Sequence, residues 1–106
     1  MHGRGEAEYF VVERVADSRL IGLLFCYRVP YFDYFEVGFY IASEERGKGY
    51  GAEAMRQLVN SIFGAYNVQT IVAGTSSLNL QSQKALRKAG FNETGRLPKT
   101  LFRNGR

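Results

Sequence analysis

The stretch Arg46-Gly47-Lys48-Gly49-Tyr50-Gly51 decides how this 106-residue chain is interpreted. It follows an apolar run, Val37–Ile41, that is typical of a strand, and it precedes a segment whose apolar residues recur at helical spacing. A glycine-rich turn between a strand and a helix exposes unpaired backbone N–H groups at the positive end of the helix dipole. The sequence therefore predicts an anion site at this turn, and a diphosphate is the ligand that suits it.

Two familiar nucleotide-binding patterns do not account for this turn. The phosphate loop of NTPases needs Ser or Thr after its Gly-Lys pair, and a glycine stands there instead. The dinucleotide pattern is formally met by Gly47, Gly49 and Ala52. It also needs an acidic residue about 20 positions further on to bind a ribose, and residues 54–92 contain none.

A third pattern, R-x-x-G-x-G, is met by Arg46, Gly49 and Gly51, and it resembles the acyl-CoA pyrophosphate loop of the GNAT superfamily of N-acyltransferases. Upstream, the run Glu36–Ile41 resembles the fourth strand of that family. Downstream, the family's N-x-x-S … K-x-G-F segment is matched by Asn79, Ser82, Lys88, Gly90 and Phe91. The branch that the chain resembles most contains the ribosomal-protein alanine N-acetyltransferases.

The resemblance implies an acetyl-CoA-dependent N-acetyltransferase that acts on a primary amine, either a protein N-terminus or a small molecule, without a metal. Its implied cofactor-binding residues are Phe39, Ile41, Arg46, Gly47, Lys48, Gly49, Tyr50, Gly51, Asn79 and Ser82. Glu36 matches a carboxylate that acts as the general base in related enzymes, often through water. Many members carry a tyrosine in the last helix to protonate the thiolate, and the matching residue here is Leu86.

The charge of the chain is unevenly distributed, and this leaves other functions open. Residues 1–53 carry a net charge of −3, whereas residues 54–106 carry +7. A basic half suits the phosphates of coenzyme A, and it also suits nucleic acid, although no nucleic-acid recognition motif is present. Lys84, Arg87 and Lys88 are either phosphate ligands or a solvated helix end. A catalytically silent module that binds coenzyme A or only dimerises is the alternative function.

Apolar patterning and turn residues predict an α+β fold. An antiparallel meander of three strands is followed by α-β-α-β, which forms one domain over residues 1–106. The resemblance adds that the third and fourth strands are parallel neighbours that splay apart. The predicted strands are Glu8–Ala16, Leu20–Val29, Tyr34–Ile41, Val68–Thr75 and Phe91–Gly95, and the predicted helices are Gly51–Phe63 and Leu80–Ala89.

Composition excludes several classes of protein. An apolar fraction of 45% is typical of a globular domain, and no apolar run is long enough to span a membrane. Cys26, the single cysteine, excludes an internal disulfide and is predicted to be a small buried side chain. A cytoplasmic protein is the default expectation.

The resemblance leads us to expect that the family's first strand and the helix pair before the meander are absent here, and that the family's last strand follows Gly105. Unpaired sheet edges favour association, so a homodimer is expected. The aromatic residues near the third strand are either acceptor-pocket walls or core and dimer contacts; they are Tyr27, Tyr31, Phe32, Tyr34 and Phe35.

Overall fold

A computed structural model describes residues 7–29, 34–75, 79–95 and 100–105. Its strands are β1 (Glu8–Glu13), β2 (Leu20–Val29), β3 (Tyr34–Ile41), β4 (Thr70–Thr75), β5 (Asn92–Gly95) and β6 (Thr100–Gly105). Its helices are α1 (Tyr50–Ala65) and α2 (Leu80–Lys88). The predicted α+β class and element order are confirmed, with one strand more than predicted. No helix in these ranges is long and apolar enough to cross a membrane.

The six strands form one mixed sheet in the order β1-β2-β3-β4-β6-β5. The first three strands form the predicted antiparallel meander. Helix α1 connects β3 to β4, which pair in parallel. The parallel register begins at Tyr34 opposite Thr70 and ends at Val37 opposite Ala73. Beyond that point β3 continues to Ile41 without pairing to β4, so the predicted splay is confirmed.

Both helices pack on the same face of the sheet. The core joins Met55, Leu58 and Ile62 of α1 and Leu86 of α2 to alternate residues of the central strands, which are Leu24, Cys26, Phe35, Val37, Ile71, Ala73 and Phe102. Alternate residues of a strand point to opposite faces. The intervening residues therefore lie on a second face, which none of the described helices covers.

The predicted small buried role of Cys26 is confirmed, since its side chain is 3% exposed. Burial raises the pKa of the Cys26 thiol above its ordinary value. A buried thiol that stays protonated is a poor nucleophile, so this residue contributes packing.

Three predicted strand boundaries are wrong: the end of β1, the start of β4 and the start of β5, which is Asn92 instead of Phe91. Strand β1 ends at Glu13 instead of Ala16, because Arg14 and Arg19 close a turn through an N–H···O bond of 2.8 Å. Strand β4 begins at Thr70 instead of Val68, although Val68 is fully buried.

The expectation that the last strand follows Gly105 is also wrong. Strand β6 occupies Thr100–Gly105 and lies between β4 and β5. Its side chain Phe102 is 0% exposed and anchors the strand in the core. The segment was missed because it contains only two apolar residues, which is too weak a pattern for a sequence-based strand assignment.

Candidate functional site

A cleft of about 300 Å³ opens where β3 parts from β4. It is bounded by the end of β3, by the glycine-rich turn, by the first turn of α1 and by the first two turns of α2. Nine of the sequence-predicted cofactor residues line it: Phe39, Ile41, Arg46, Gly47, Gly49, Tyr50, Gly51, Asn79 and Ser82. Phe39 and Ser82, which are 43 positions apart in the sequence, are thereby brought to one surface.

The glycines of the turn serve two different purposes. Gly47 and Gly49 have φ angles of 79° and 87°, in the left-handed region that side chains rarely adopt. Gly51 has no such angle, but a Cβ there would lie 2.8 Å from Cε2 of Phe39. Gly47 and Gly49 therefore shape the backbone, whereas Gly51 lets Phe39 pack against the first turn of α1.

The N-terminus of α1 is open toward the cleft. Its N-cap is Gly49, which has no side chain to accept from the first-turn N–H groups. A Cβ placed on Gly49 would meet no protein atom within 4 Å. The first turn of a helix carries unsatisfied N–H donors and a partial positive charge. The cleft is therefore suited to a negatively charged group.

The second helix contributes its own N-terminus. Asn79 is the N-cap of α2, and its Oδ1 accepts from the N–H of Ser82 at 3.0 Å. Further along, α2 presents Gln81, Lys84, Ala85 and Lys88 to the cleft. This spacing of three and four residues defines a single helix face, so Lys84 and Lys88 add positive charge to one wall.

The third basic residue of α2 has a different environment. Arg87 forms an ion pair with Glu93 at 2.9 Å, and its guanidinium lies 5.3 Å from the ring centre of Phe102. The three basic residues of α2 therefore differ in position. Lys84 and Lys88 face the cleft, whereas Arg87 ties α2 to the sheet.

Arg46 and Lys48 hold the turn by their side chains. The Nε of Arg46 donates to the carbonyl of Ile41 at 2.8 Å, and its guanidinium lies over the ring of Tyr40. The Nζ of Lys48 lies 3.2 Å from Oε1 of Glu45. Lys48 is the one predicted cofactor residue that is not part of the cleft wall.

Glu45 is a buried carboxylate that sequence reasoning missed. Its side chain is 8% exposed, and its Oε1 also accepts from Arg14 at 2.7 Å. Hydrogen bonds from Lys48 and Arg14 lower the pKa of Glu45, against the opposing effect of burial. Arg14 in turn bonds Asp17 and lowers the pKa of Asp17 to about 2. The turn after β1 is thereby braced against the glycine-rich turn. In the sequence, the only indication of this role is that Glu45 stands directly before Arg46 and three positions before Lys48.

Glu36, the predicted general base, and Leu86, which stands at the position of the family's tyrosine acid, lie outside the cleft wall. Glu36 lies on β3 at a half-buried position, on the face without helices, and it accepts from Tyr27 Oη at 2.9 Å. Leu86 is 2% exposed and belongs to the core. A hydrophobic core position offers no proton donor for a leaving thiolate.

The aromatic residues considered near β3 do not form one group. Phe35 is buried in the core and its ring centre lies 4.8 Å from that of Tyr66. Tyr34 is half-buried, and Tyr27 pairs with Glu36. Tyr31 and Phe32 lie outside the described residues.

Comparison with known proteins identifies the family. The family model described as the acetyltransferase (GNAT) domain matches residues 2–92. Probable N-acetyltransferase YjcK of Bacillus subtilis (strain 168) is 30% identical over 104 residues, which cover 96% of this chain and 58% of that protein. The chain thus spans less than two thirds of this curated relative.

Solved structures share the fold. A structure of AAC(6')-Ib in complex with ribostamycin and coenzyme A superposes with a TM-score of 0.82 at 20% identity, over 94% of this chain and 64% of that one. The ribosomal-protein-S5-alanine acetyltransferase from Vibrio fischeri gives a TM-score of 0.81 at 26% identity, over 93% and 61% of the two chains.

The Glu45 cluster predicts an acid-sensitive stability. A carboxylate whose pKa is lowered by folding stabilises the protein at pH values above its pKa in the unfolded chain. This stabilisation is lost as the pH falls through its pKa in the folded protein. The pKa of a glutamate in an unfolded chain is about 4.3. We therefore expect Glu45→Gln to flatten the fall in melting temperature between about pH 5 and pH 2. Glu44→Gln, the exposed neighbour, is the matched control. Identical pH profiles for the two variants would contradict a stabilising role for the Glu45 carboxylate.

Proposed function

The chain belongs to the GNAT family of acetyltransferases, and from that premise we propose that it is an acetyl-CoA-dependent N-acetyltransferase acting on a primary amine. The observation that carries the proposal is the cleft beside the end of β3, which is lined by two helix N-termini and two lysines. Coenzyme A bears a diphosphate and a further phosphate, and such a polyanion matches this distribution of charge.

In the proposed complex the diphosphate lies against the backbone N–H groups of Gly47–Gly51. Arg46 keeps the turn in place from the end of β3, while Lys84 and Lys88 offset phosphate charge from the other wall. The pantetheine arm runs along Phe39–Ile41, where none of the described strands pairs with the second side of β3. The distance from Ile41 to Val37 is about 13 Å at a strand rise of about 3.3 Å per residue, and the arm's reactive end points toward the closed end of the splay.

The proposed reaction begins with the acceptor as an ammonium ion. Glu36, directly or through a water molecule, takes one proton from it. The amine nitrogen attacks the thioester carbonyl, the C–N bond forms, and the C–S bond breaks. The electron pair leaves with the sulfur as coenzyme A thiolate, and the nitrogen loses its second proton to solvent. Because Leu86 supplies no acid, the thiolate takes its proton from water.

The acceptor class is part of the proposal. Related structures come from an aminoglycoside acetyltransferase, a spermidine N-acetyltransferase and a ribosomal-protein alanine acetyltransferase. These acceptors share a primary amine and little else. We assign a primary amine to this chain, on a protein N-terminus or a small molecule. A chain that binds coenzyme A and acetylates no amine would instead be the silent module.

Asn79 tests the cofactor half of the proposal. Asn79→Asp retains an oxygen that caps Ser82 N–H, but it replaces the amide donor with a negative charge beside the phosphates. We expect the affinity for coenzyme A, measured by calorimetry, to fall by about tenfold or more, which corresponds to one good polar contact. The melting temperature should hardly change. Asn60→Asp, an exposed position of α1 away from the cleft, is the control. Equal affinity in both variants would leave Asn79 as a cap only.

Glu36 tests the catalytic half. Glu36→Gln keeps the shape of the side chain and removes its basicity, so we expect turnover to fall by about 10²–10⁴. Affinity for acetyl-CoA should stay at the wild-type level, because this residue does not line the cleft. Glu8→Gln on β1 removes an exposed strand carboxylate and serves as the control. Full activity of Glu36→Gln would assign the base to another group.

The homodimer is proposed through β1. Among the described strands, β1 and β5 form the two edges of the sheet, and β5 has only four residues. Tyr9, Phe10 and Val11 of β1 are 71%, 43% and 58% exposed. A groove of about 580 Å³ also lies between β1 and α1. An apolar edge strand without Lys or Pro favours pairing with another strand.

Light scattering over a concentration series tests this dimer. We expect a mass near twice 12.0 kDa for the wild type. Val11→Lys places a charge on the edge strand and should shift the protein to the monomer. Val15→Lys, in the exposed turn after β1, should leave the dimer intact. A wild-type mass of 12.0 kDa that persists at high micromolar concentration would refute the proposal.

A further inference from the structure

Tyr27 and Glu36 form a side-chain pair across β2 and β3. The two residues are direct partners in the antiparallel register, and the Oη of Tyr27 donates to Oε1 of Glu36 at 2.9 Å. Both are half-buried. They lie on the sheet face opposite to the helices, because their neighbours Cys26, Phe35 and Val37 are buried in the core.

The pair is adjacent to the point where the parallel strands separate. Glu36 is in register with Val72, and the next pair, Val37 with Ala73, is the last one. The strands β2, β3, β4 and β6, all of them described, contain one acidic residue in total, which is Glu36. Among these four strands, the Glu36 carboxylate is therefore the only acidic group, and it lies where β3 and β4 begin to separate.

The described surface around the pair carries apolar side chains and one basic residue, Arg103. The ring of Phe25 lies over Gly38, where a side chain would collide with it. Glu36 of β3 is in register with Val72 of β4, and Val72 is in register with Arg103 of β6. Arg103 is two strands away from Glu36, roughly 10 Å at a strand spacing of about 4.8 Å, and its guanidinium contacts Thr70. Of these surrounding groups, Tyr27 is the one that bonds the carboxylate directly.

We propose that Tyr27 is a positioning residue that holds the Glu36 carboxylate for proton transfer from the acceptor ammonium, an inference that rests on the proposed function. A glutamate on an open sheet face samples several rotamers, and each rotamer that aims elsewhere is unproductive. The bond to Oε1 selects one rotamer and leaves Oε2 to take the proton. The ammonium loses H⁺, the carboxylate becomes a carboxylic acid, and the proton later passes to water.

A purely structural role predicts a different behaviour. Cross-strand pairs stabilise sheets, so loss of the Tyr27 hydroxyl would then affect stability and alter turnover independently of Glu36. A positioning role makes the two residues act as one unit. Residues that act as a unit show strongly non-additive effects when both are changed. A double-mutant cycle on turnover separates the two roles.

The experiment compares the full-length wild type with Tyr27→Phe, Glu36→Gln and the double variant. Acetyl-CoA is used with three amine probes: spermidine, kanamycin and a peptide with an N-terminal alanine. We expect Tyr27→Phe to lower kcat by about tenfold to a hundredfold while affinity for coenzyme A stays unchanged. In the Glu36→Gln background the same change should cause no further loss. Tyr9→Phe, an exposed tyrosine on the same face, should match the wild type.

The outcomes distinguish this inference from the function on which it rests. Wild-type turnover with an unaffected Tyr27→Phe variant overturns the inference alone. A loss in Tyr27→Phe that persists in full in the Glu36→Gln background also overturns it and assigns Tyr27 a role apart from Glu36. A wild type that binds coenzyme A but acetylates none of the three probes, and does not hydrolyse acetyl-CoA, overturns the proposed function and the inference together.

Discussion

The parting of two parallel strands is the constraint on which the rest of this site depends. After Ala73, β4 pairs only with β6, through Gly74 opposite Leu101 and Thr75 opposite Thr100. The end of β3 keeps β2 as its partner on one side, and on its other side none of the described strands pairs with it. Backbone N–H and C=O groups are costly to leave unsatisfied when they are shielded from water. An extended ligand with amide groups meets that requirement as an added strand does.

Around this gap the proposed anion-binding groups come mainly from the backbone, and side chains act as braces. The left-handed glycines turn the chain so that the first turn of α1 opens on the cleft. Glu45 is the central brace, because it joins Arg14 of the turn after β1 to Lys48 of the glycine-rich turn. Arg46 fastens the other side to the carbonyl at the end of β3. The orientation of the N–H groups at the start of α1 therefore depends on a turn that part-buried side-chain contacts maintain.

The sequence predicted most of this architecture because its strongest signals are local. The boundaries of β2 and β3 were predicted without error, since both are long apolar runs between turn residues. The role of Asn79 as the N-cap of α2 was likewise predicted correctly from its residue type and its position before the helix. Strand β6 could not be predicted, because pairing with β4 and β5 and the burial of one phenylalanine hold it in place. Tertiary contacts override a weak local pattern in such a segment.

The same distinction applies to the candidate site: residues within short motifs could be predicted from the sequence, whereas contacts between distant residues could not. The cofactor residues lie in two short motifs, so the sequence could name them, and nine of the ten line one cleft. The contacts of Glu45 with Arg14 and of Glu36 with Tyr27 join residues 31 and 9 positions apart and depend on strand register. Burial of Leu86 also follows from how α2 packs. The proposed cofactor binding thus depends on the geometry of two sequence motifs, whereas the proposed proton transfer depends on one carboxylate that acquires its partner, Tyr27, only in the folded sheet.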